Sequence, residues 1–280
     1  MLTPKLKKLS KNVKKMVIFE PDMIFHSLSK TKAKELKALS TKKERDRQGL
    51  FIVEGEKCVV DTLNAFELEN LLVTPEWIEN HSVLSQRYKD KILSTDHRGI
   101  EIVSSLSSLP SVIAIYKIPE VPNQIPLLKK NKIYVLLDEI QDPGNLGTII
   151  RTCDWYGVYE IFASKTTVDV FSPKVVQATM GSLSRVRVTY TDLEQLISKN
   201  PEIKVIGTLL NGTPLNEIKS LSGGMILLGN EGRGISDKLK KLIDLALTIP
   251  PINPESHPDS LNVAISNAII LSHLIPYPKH

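Results

Sequence analysis

An Asn and an Arg that follow a buried strand give the first chemical signal in this sequence. The apolar run Ile133–Leu137 leads to the turn Pro143-Gly144, and Asn145 and Arg151 come after it. Asn is a preferred helix cap, so the pattern predicts a helix that begins at Asn145. Arg151 lies six residues further on, about 9 Å along a helix axis. Helical side chains lean towards the N-terminus, so its guanidinium could hold a phosphate or an oxyanion at the strand end. The alternative is a capped helix with a surface Arg.

A glycine-rich segment with one carboxylate follows another apolar strand. Gly229, Gly232 and Gly234 lie within six residues, and Glu231 stands among them. Glycines permit unusual backbone angles and the close approach of a flat ligand. Their spacing is neither G-x-G-x-x-G nor a Walker loop, so a phosphate site for a dinucleotide or ATP is not indicated. A carboxylate there suits a positive charge or ribose hydroxyls. The bare pattern is more often that of a tight turn alone.

A third polar segment opens the last helix. The run Thr248-Ile249-Pro250 enters a loop rich in Pro and Asn, and Asp259-Ser260-Leu261-Asn262 ends it. We expect Asp259 or Ser260 to cap the helix that follows. Taken alone, this segment is the start of a core helix at the end of the chain.

In their order and spacing, the three segments resemble the SpoU (TrmH-like) branch of the SPOUT RNA methyltransferases. The resemblance covers about residues 131–275 and rests on Asn145, Gly147, Arg151, Gly229, Asn230, Glu231, Gly232, Ile249, Pro250, Ser260, Leu261 and Asn262. It implies methyl transfer from S-adenosylmethionine to a ribose 2′-hydroxyl of ribosomal or transfer RNA. It also implies a deep trefoil knot near the C-terminus and an obligate homodimer whose active site spans both subunits.

The resemblance implies roles for individual residues. The catalytic set would be Arg151, Asn145, Glu231, Ser260 and Asn262. The S-adenosylmethionine site would be formed by Leu209, Gly229, Asn230, Gly232, Ile249 and Leu261. A guanidinium is effectively always charged, so we expect Arg151 to orient RNA and stabilise the nucleophile rather than act as general base. His257 is a second candidate base.

Two departures from the family pattern concern the cofactor site. The loop 249–261 is a few residues longer than in the common pattern, and it contains Pro251, Pro254 and Pro258. Ala264 occupies a place where a Ser often follows Asn-Val, so one hydroxyl is missing. We expect both departures to alter cofactor or RNA affinity rather than the class of reaction.

The first half of the chain predicts a small α/β domain at residues 23–118. Lys-rich helical patterns at 29–39 and 42–48 precede a strand-like run at 50–53, and Gly55 opens a further helix. Four more strands are predicted at 71–73, 91–93, 100–103 and 112–115. The alternation of strands and helices indicates an α/β fold. The run Phe51–Gly55 after the helix pair resembles the ribosomal-protein-L30e-like substrate-binding domain often attached to these enzymes.

Prolines separate this domain from a second one. Residues 119–130 include Pro119, Pro122 and Pro126, which disfavour helix and cannot donate to a sheet, so we predict a linker. From 131 to 280, apolar strands alternate with helices, and the strands are predicted at 133–137, 158–162, 185–188, 205–209, 225–228 and 245–249. The pattern indicates an open, mainly parallel sheet covered on both faces, which binds ligands at the carboxyl ends of its strands.

Positive charge is concentrated at the start of the chain. Residues 1–50 carry a net charge of +9, against −4 for the remaining 230 and +5 for all 280 residues. Such a segment suits a phosphate-rich partner. We interpret residues 1–22 as a flexible basic tail and expect RNA contacts from Lys30, Lys32, Lys34, Lys42, Lys43, Arg45 and Arg47. The L30e-like resemblance favours ribosomal over transfer RNA.

Composition excludes several other classes of protein. Cys58 and Cys153 are the only cysteines, so a disulfide framework is excluded, and the scattered histidines give no metal-site spacing. No apolar stretch has the length of a membrane span. We therefore expect a cytoplasmic protein without metal or membrane partner. Two alternatives stay open, an inactive RNA-binding protein that keeps the fold and a methyltransferase directed at bases.

Overall fold

The computed structural model describes residues 25–120, 124–253, 255–256 and 258–276. The basic tail predicted at 1–22 and the candidate base His257 lie outside this part of the chain. The described residues form two α/β units, each built on its own sheet, which confirms the predicted fold class. All helices among them are too short or too polar to cross a lipid bilayer.

The first unit is built on a five-stranded mixed sheet. Its elements are β1 (His26–Ser27), α1 (Lys30–Ala38), α2 (Lys42–Gln48), β2 (Leu50–Glu54), α3 (Glu56–Thr62), β3 (Leu68–Val73), α4 (Pro75–Asn80), α5 (Ser82–Arg87), β4 (Ile92–Ser94), α6 (His97–Val103) and β5 (Val112–Lys117). The strand order is β1-β4-β3-β5-β2. Strand β5 runs antiparallel to both of its neighbours, whereas β4 is parallel to both of its own. The helix after Gly55 and every predicted strand but one are confirmed.

The strand predicted at 100–103 is wrong, because these residues belong to helix α6. The Asp96 side chain caps this helix by accepting a hydrogen bond from the N–H of Gly99 at 3.0 Å. Ile100 and Val103 are both buried, and their spacing of three residues places them on one helix face. The run Ile-Glu-Ile-Val imitates strand alternation over four residues only, which is too short to distinguish the two periods.

The second unit is built on a six-stranded sheet whose pairings are all parallel. Its elements are β6 (Ile133–Leu137), α7 (Pro143–Trp155), β7 (Glu160–Ala163), α8 (Pro173–Thr179), β8 (Arg187–Tyr190), α9 (Leu193–Lys199), β9 (Val205–Pro214), β10 (Gly224–Leu228), α10 (Asp237–Lys240), β11 (Leu245–Thr248) and α11 (Val263–Leu274). The strand order is β11-β9-β10-β6-β7-β8. The predicted strands are confirmed, although those predicted at 158–162 and 185–188 begin two residues later.

Helix α7 lies close to α8 because Gly147 has no side chain. A Cβ built at Gly147 would lie 2.3 Å from the Cβ of Ala178, so a larger residue would push the helices apart. On another side α7 contacts α11. Helix α11 also contacts the turn Leu215–Glu217 after β9, and nearby the N–H of Leu221 donates to the carbonyl of Leu274 at 3.0 Å. The last helix is thus held between α7 and the segment that follows β9.

The chain between the two units is fastened to the second one. Asn200, which is buried at the end of α9, donates from Nδ2 to the carbonyl of Pro126 at 3.1 Å and accepts from the N–H of Leu128 at 2.8 Å. Lys199 donates to the carbonyl of Ile125 at 2.6 Å. The segment interpreted as a linker is therefore anchored from residue 125 onwards.

The two units meet through aromatic side chains. Phe51 of β2 packs against Phe171, which precedes α8, with ring centroids 4.6 Å apart. Strand β2 also contacts α8. A cavity of about 940 Å³ lies beside this contact and is lined by residues of both units and of the segment between them.

Candidate functional site

The first two polar segments emerge side by side because the strands before them are neighbours. β6 and β10 are parallel, and Leu137 pairs with Leu228 at their carboxyl ends. Asp138 fixes the start of both loops. Its N–H donates to the carbonyl of Leu228 at 2.9 Å, and its buried carboxylate accepts from the N–H of Ser236 at 2.7 Å. The site therefore lies at the carboxyl edge of the parallel sheet, as the sequence predicts.

Glu231 reaches from the glycine-rich loop to the start of α7. Its Oε1 accepts hydrogen bonds from the N–H of Asp142 at 3.2 Å and from Nδ2 of Asn145 at 3.0 Å. Its Oε2 accepts from the N–H of Gln141 at 3.2 Å. Partial burial opposes ionisation, but these hydrogen bonds outweigh it and lower the pKa of Glu231 below its ordinary value. The charged carboxylate therefore holds the two loops together, with both oxygens occupied.

Asn230 and Arg233 close the glycine-rich loop onto Glu139. Nδ2 of Asn230 donates to the carbonyl of Glu139 at 2.7 Å, and its Oδ1 accepts from two N–H groups of the loop, both at 3.0 Å. Arg233 and Glu139 form an ion pair at 2.6 Å. Gly229 is required by backbone packing, because a Cβ there would lie 2.2 Å from the N atom of Ile235. The side chain of Asn230 thus stabilises the loop itself.

Asn145 lies in the first turn of α7, and the prediction that it caps this helix is wrong. The helix begins at Pro143, and its cap is Asp142, whose Oδ1 accepts from the N–H of Asn145 at 2.7 Å. Pro is favoured at the first helical position, where its missing N–H leaves nothing unsatisfied. The side chain of Asn145 is therefore not used as a cap, and it turns to Glu231 and Asn262.

Asn262 joins the third polar segment to the other two. Its Nδ2 donates to Oδ1 of Asn145 at 2.9 Å. Its Oδ1 accepts from two N–H groups of α11 at 2.9 and 3.3 Å, which makes Asn262 the cap of this helix. The prediction that Asp259 or Ser260 caps α11 is wrong, because the helix begins only after Asn262. One hydrogen-bonded set therefore contains Glu231, Asn145 and Asn262.

Arg151 and Ser260 are not part of that set. Both are exposed, and neither side chain forms a hydrogen bond or ion pair within the described ranges. Arg151 shares the solvent face of α7 with Thr148 and Trp155, at spacings of three and four residues. An exposed guanidinium without a protein partner is available to an incoming phosphate or oxyanion.

The residues expected at the cofactor site lie in the second half of β9 and in the loops that follow β10 and β11. Leu209 and Ile249 are half-buried against the core, whereas Gly232 and Leu261 are exposed. Residues 209–214, 229–234 and 248–262 contain a single Lys or Arg, Arg233, and its charge is paired with Glu139. Aliphatic side chains, backbone groups and negative charge fit a nucleoside that carries a sulfonium cation. The residues present are thus compatible with S-adenosylmethionine.

The lysines expected to contact RNA lie on α1 and α2. Lys30, Lys34 and Lys43 are exposed and form no hydrogen bond or ion pair with any residue that the structure describes. The other three exposed or half-exposed cations pair with acids one turn away on the same helix, namely Lys32 with Glu35, Lys42 with Asp46 and Arg47 with Glu44. Such exposed pairs are weak, so they leave these cations accessible to phosphate.

Arg45 does not belong with these cations, and its expected RNA contact is corrected. Its side chain is only 3% exposed and pairs with Asp169 of the second unit at 2.6 Å. It also donates from Nη1 to the carbonyls of Leu39 and Ser40 at 2.8 and 3.0 Å. The charge pattern of α2 does not indicate that Arg45 is buried, because its partner Asp169 lies 124 positions further along the chain.

Two residues of the site were not predicted from the sequence. Asp142 has a recognisable signal, since an acid directly before Pro is typical of a helix start. Gln141 has none, because it acts through its N–H towards Glu231 and through Nε2, which donates to the carbonyl of Thr166 at 2.7 Å. Both contacts depend on loops that are distant in sequence.

Two family descriptions match the chain. The SpoU rRNA Methylase family matches residues 132–272, which include all three polar segments. The MRM3-like substrate binding domain matches residues 30–114, which include both Lys-rich helices.

Similar proteins cover almost all of the chain. The 23S rRNA (guanosine(2553)-2′-O)-methyltransferase RlmP of Bacillus subtilis is 32% identical over 251 residues, which are 89% of this chain and 97% of that protein. The 23S rRNA (uridine(2479)-2′-O)-methyltransferase of Streptomyces viridochromogenes is 26% identical over 83% of this chain and 85% of its own length. A solved structure of a putative RNA methyltransferase of the TrmH family from Porphyromonas gingivalis matches with a TM-score of 0.77 and 33% identity, covering 88% of this chain and 97% of that chain. A crystal structure of an AdoMet-bound rRNA methyltransferase from Sinorhizobium meliloti matches with a TM-score of 0.78 and 29% identity. The match covers 89% of this chain and 97% of that chain.

Proposed function

The chain belongs to the SpoU rRNA methylase family, and we propose that it methylates one ribose 2′-hydroxyl of large-subunit ribosomal RNA. It is an S-adenosylmethionine-dependent RNA methyltransferase. The observation that carries the proposal is the hydrogen-bonded set of Asn145, Glu231 and Asn262, which joins three separate polar segments at one edge of the sheet. Two relatives that match 89% and 83% of the chain are 2′-O-methyltransferases of 23S rRNA by name.

The reaction assigns separate tasks to the polar residues. When bound, S-adenosylmethionine would supply the methyl group from its sulfonium to the ribose oxygen, with the carbon–sulfur electron pair kept by sulfur and the hydroxyl proton released to water. The chain's own residues therefore position the ribose and stabilise negative charge on its oxygen. Glu231, Asn145 and Asn262 hold the loops that form the site. They do so through bonds that occupy both oxygens of Glu231.

Arg151 is the residue that we assign to charge stabilisation. Its side chain is exposed on α7 and has no polar partner among the described residues. A guanidinium stays charged and presents a planar fork to phosphate or alkoxide, so orientation and electrostatic stabilisation suit it better than proton abstraction. Ser260 is a second exposed donor, two residues before Asn262, and it completes the polar set on the side of α11.

The cofactor is proposed to bind between the second half of β9 and the loops after β10 and β11. Leu209, Ile249 and Leu261 would provide aliphatic surface, and Gly229 and Gly232 would provide backbone groups. Asn230 belongs to this site through its backbone only, because its side chain is bonded to Glu139 and to its own loop. Arg233, the one Lys or Arg in these segments, is paired with Glu139, so its charge does not oppose the binding of a cationic sulfonium.

The first unit is proposed to bind the RNA. It matches a substrate-binding domain, and Lys30, Lys34 and Lys43 are free to contact phosphates, with Lys32, Lys42 and Arg47 beside them. Phosphate contacts hold RNA without reading its sequence, so the choice of nucleotide depends on other contacts. The 23S rRNA substrates in the names of two relatives favour ribosomal over transfer RNA.

A homodimer and a knotted C-terminus are further parts of the proposal. The first two turns of helix α11 expose Ile265 and Ile269 at 51% and 36%, and Trp155 of α7 is 83% exposed. A monomer would leave these apolar side chains in contact with water, whereas a second copy of the chain would cover them. Helix α11 lies between α7 and the segment after β9, which is the arrangement expected if the chain threads a loop there.

Methyl transfer with wild-type protein tests the proposed function. The protein is incubated with S-adenosylmethionine labelled in its methyl group and with an unmethylated transcript of Bacillus subtilis 23S rRNA, and the RNA is digested to nucleosides. Label in one 2′-O-methylnucleoside is the expected result. A labelled base would indicate a base-directed methyltransferase, and RNA binding without label would indicate an inactive binding protein. We place the enzyme in the cytoplasm, where ribosomal RNA is available and its two buried, unbridged cysteines stay reduced.

A further inference from the structure

The Arg45–Asp169 ion pair connects the RNA-binding helices to the second unit. Nε and Nη2 of Arg45 donate to the same oxygen, Oδ2 of Asp169, at 3.0 and 2.6 Å. Nη1 donates to the carbonyls of Leu39 and Ser40, which follow α1. Oδ1 of Asp169 accepts from the N–H of Phe171 at 3.0 Å. Arg45 thus donates to two fixed backbone carbonyls and Asp169 accepts from a fixed N–H, a geometry for which the rigid guanidinium is suited.

The loop that carries Asp169 is bonded to the active-site loop after β6. Directly before Asp169, the N–H of Val168 donates to the carbonyl of Ile140 at 2.8 Å. The next residue of that loop, Gln141, donates its N–H to Glu231 at 3.2 Å. A short series of hydrogen bonds therefore leads from helix α2 to the residue that organises the active site.

The same loop is held firmly on its other side. The hydroxyl of Tyr190 on β8 accepts from the N–H of Val170 at 2.8 Å and donates to the carbonyl of Val168 at 2.5 Å. Asp169 stands between these two anchored residues. The position of the Asp169 carboxylate is therefore fixed relative to the sheet.

A cavity lies between the two units beside this pair. The cavity of about 940 Å³ separates Lys42 and Phe66 of the first unit from Arg187 of β8, and Asp169 lies at its wall. Elsewhere the two units share one hydrophobic core cluster, so apolar packing and directional contacts together set the angle between them. The ion pair and the contact of Phe51 with Phe171 are two of these contacts.

We propose that Arg45 and Asp169 are positioning residues, which set the orientation of the RNA-binding helices relative to the methyl-transfer site. The inference rests on the proposed function. Neither residue touches the reacting atoms. The pair determines whether an RNA held by α1 and α2 presents its ribose at the correct distance, so it governs the rate of transfer rather than the affinity for RNA.

The test compares Asp169→Asn with two variants of the first unit. Because small misplacements of reacting groups are costly, Asp169→Asn should lower kcat on saturating 23S rRNA transcript on the order of tenfold. Its dissociation constants for the transcript and for S-adenosylmethionine should stay near those of wild type. Arg47→Gln, two residues from Arg45, should instead raise the dissociation constant for the transcript. Lys117→Gln, which removes an exposed pair with Glu67, should change neither quantity.

A distance measurement separates this inference from the proposed function. Spin labels on cysteines introduced at the exposed Val83 and Lys219, one in each unit, give a distance distribution that does not depend on activity. It should broaden or shift in Asp169→Asn and in Arg45→Lys, and it should stay unchanged in Lys117→Gln. An unchanged distribution, an unchanged kcat, or a fall in kcat matched by an equal fall in the fraction of protein that binds cofactor would overturn the inference. If wild-type protein methylates no RNA, the proposed function fails, whereas the distances still test whether the Arg45–Asp169 pair sets the orientation of the two units.

Discussion

Asn262 donates a hydrogen bond to Asn145 across 117 positions of the chain. The same amide caps α11 through its oxygen, so one side chain both begins the last helix and connects it to α7. The two functions use different atoms, Oδ1 for the cap and Nδ2 for the connection. They can therefore be separated by substitution.

We predict that Asn262→Asp preserves stability and loses activity. Aspartate is as good a cap as asparagine, so the melting temperature should change by less than about 4 °C, the equivalent of roughly 1 kcal/mol in a chain of this size. The lost donor and the added charge beside Glu231 should lower methyl transfer on the order of tenfold. Asn262→Ala, which loses the cap as well, should be less stable by about 1 kcal/mol. Full activity in Asn262→Asp would show that only the cap is needed.

Glu231→Gln should impair the enzyme by disturbing the loops it holds. The new amide would place donor hydrogens against the N–H groups of Gln141 or Asp142, where the carboxylate accepts. Hydrogen bonds to a charged group are worth about 1.5–3 kcal/mol, so kcat/KM should fall by about 10- to 100-fold. The control is Glu217→Gln, an exposed acid outside the site. Equal activity of the two variants would contradict the organising role of Glu231.

The loss of stability caused by Glu231→Gln should depend on pH. The folded protein lowers the pKa of Glu231, so this group stabilises the fold above its unfolded pKa of about 4.3, and the stabilisation is lost as pH falls through the folded value. The gap in melting temperature between wild type and Glu231→Gln should therefore be widest near neutral pH and shrink below about pH 4. A gap that grows as the solution is acidified would contradict the assignment.

Arg151→Lys distinguishes a planar fork from a simple positive charge. Lysine keeps the charge but lacks the planar guanidinium, so it cannot present two parallel N–H donors to one group. Loss of one donor to a developing oxyanion lowers kcat on the order of 100-fold. Binding of S-adenosylmethionine, measured by calorimetry, should be unchanged. Arg98→Lys, an exposed arginine of the first unit, serves as the matched control. Wild-type kcat in Arg151→Lys would exclude bidentate contact with RNA or the oxyanion.

Lysines on α1 and α2 should account for part of the salt dependence of RNA binding. The double variant Lys34→Gln and Lys43→Gln removes two exposed charges, and each lost phosphate contact lowers the slope of log affinity against log salt by about 0.7–0.9. Affinity for S-adenosylmethionine should not change. The control pair is Lys219→Gln and Lys241→Gln, exposed on the second unit. Identical slopes for both double variants would place the RNA elsewhere.

Ile265→Asp should convert the proposed dimer into monomers. A carboxylate in the centre of an apolar contact is strongly disfavoured, so light scattering should report half the mass of wild type. Methyl transfer should be lost at the same time if the active site spans both subunits. Val83→Asp changes a side chain that is 81% exposed on the first unit and should leave the mass unchanged. A fully active monomer would contradict the shared site.

The strands and the polar segments could be predicted because their signals are local. Continuous apolar runs such as Ile133–Leu137 indicate strands buried on both faces, and the segments after them lie at one edge by the geometry of parallel sheets. Ile100–Val103 shows the limit, since four residues contain too little of either period. The strand order could not be predicted from the sequence. β9 pairs with β11 as well as with β10, although β10 lies between β9 and β11 along the chain.

The partners of individual side chains were the least predictable part of the site. Arg45 and Arg47 are two positions apart on one helix, yet the first is buried by Asp169 and the second is exposed beside Glu44. Nothing in a helix pattern indicates which cation meets an acid from another unit. Asn145 was expected to cap α7, but Asp142 provides the cap just before Pro143, so the side chain of Asn145 bonds to Glu231 and Asn262 instead.

The anchoring of the connecting segment by Lys199 and Asn200 limits how far the first unit can move away from the second. Ile118 is bonded to Gly49 of the first unit at 2.7 Å, and Ile125 is bonded to Lys199. Seven residue steps separate these two points, and a fully extended chain of that length spans roughly 25 Å. If the first unit binds RNA as proposed, a tether this short keeps that RNA at an effective concentration in the millimolar range at the second unit. Delivery of the ribose is then intramolecular, and weak contacts at the active site are sufficient to complete it.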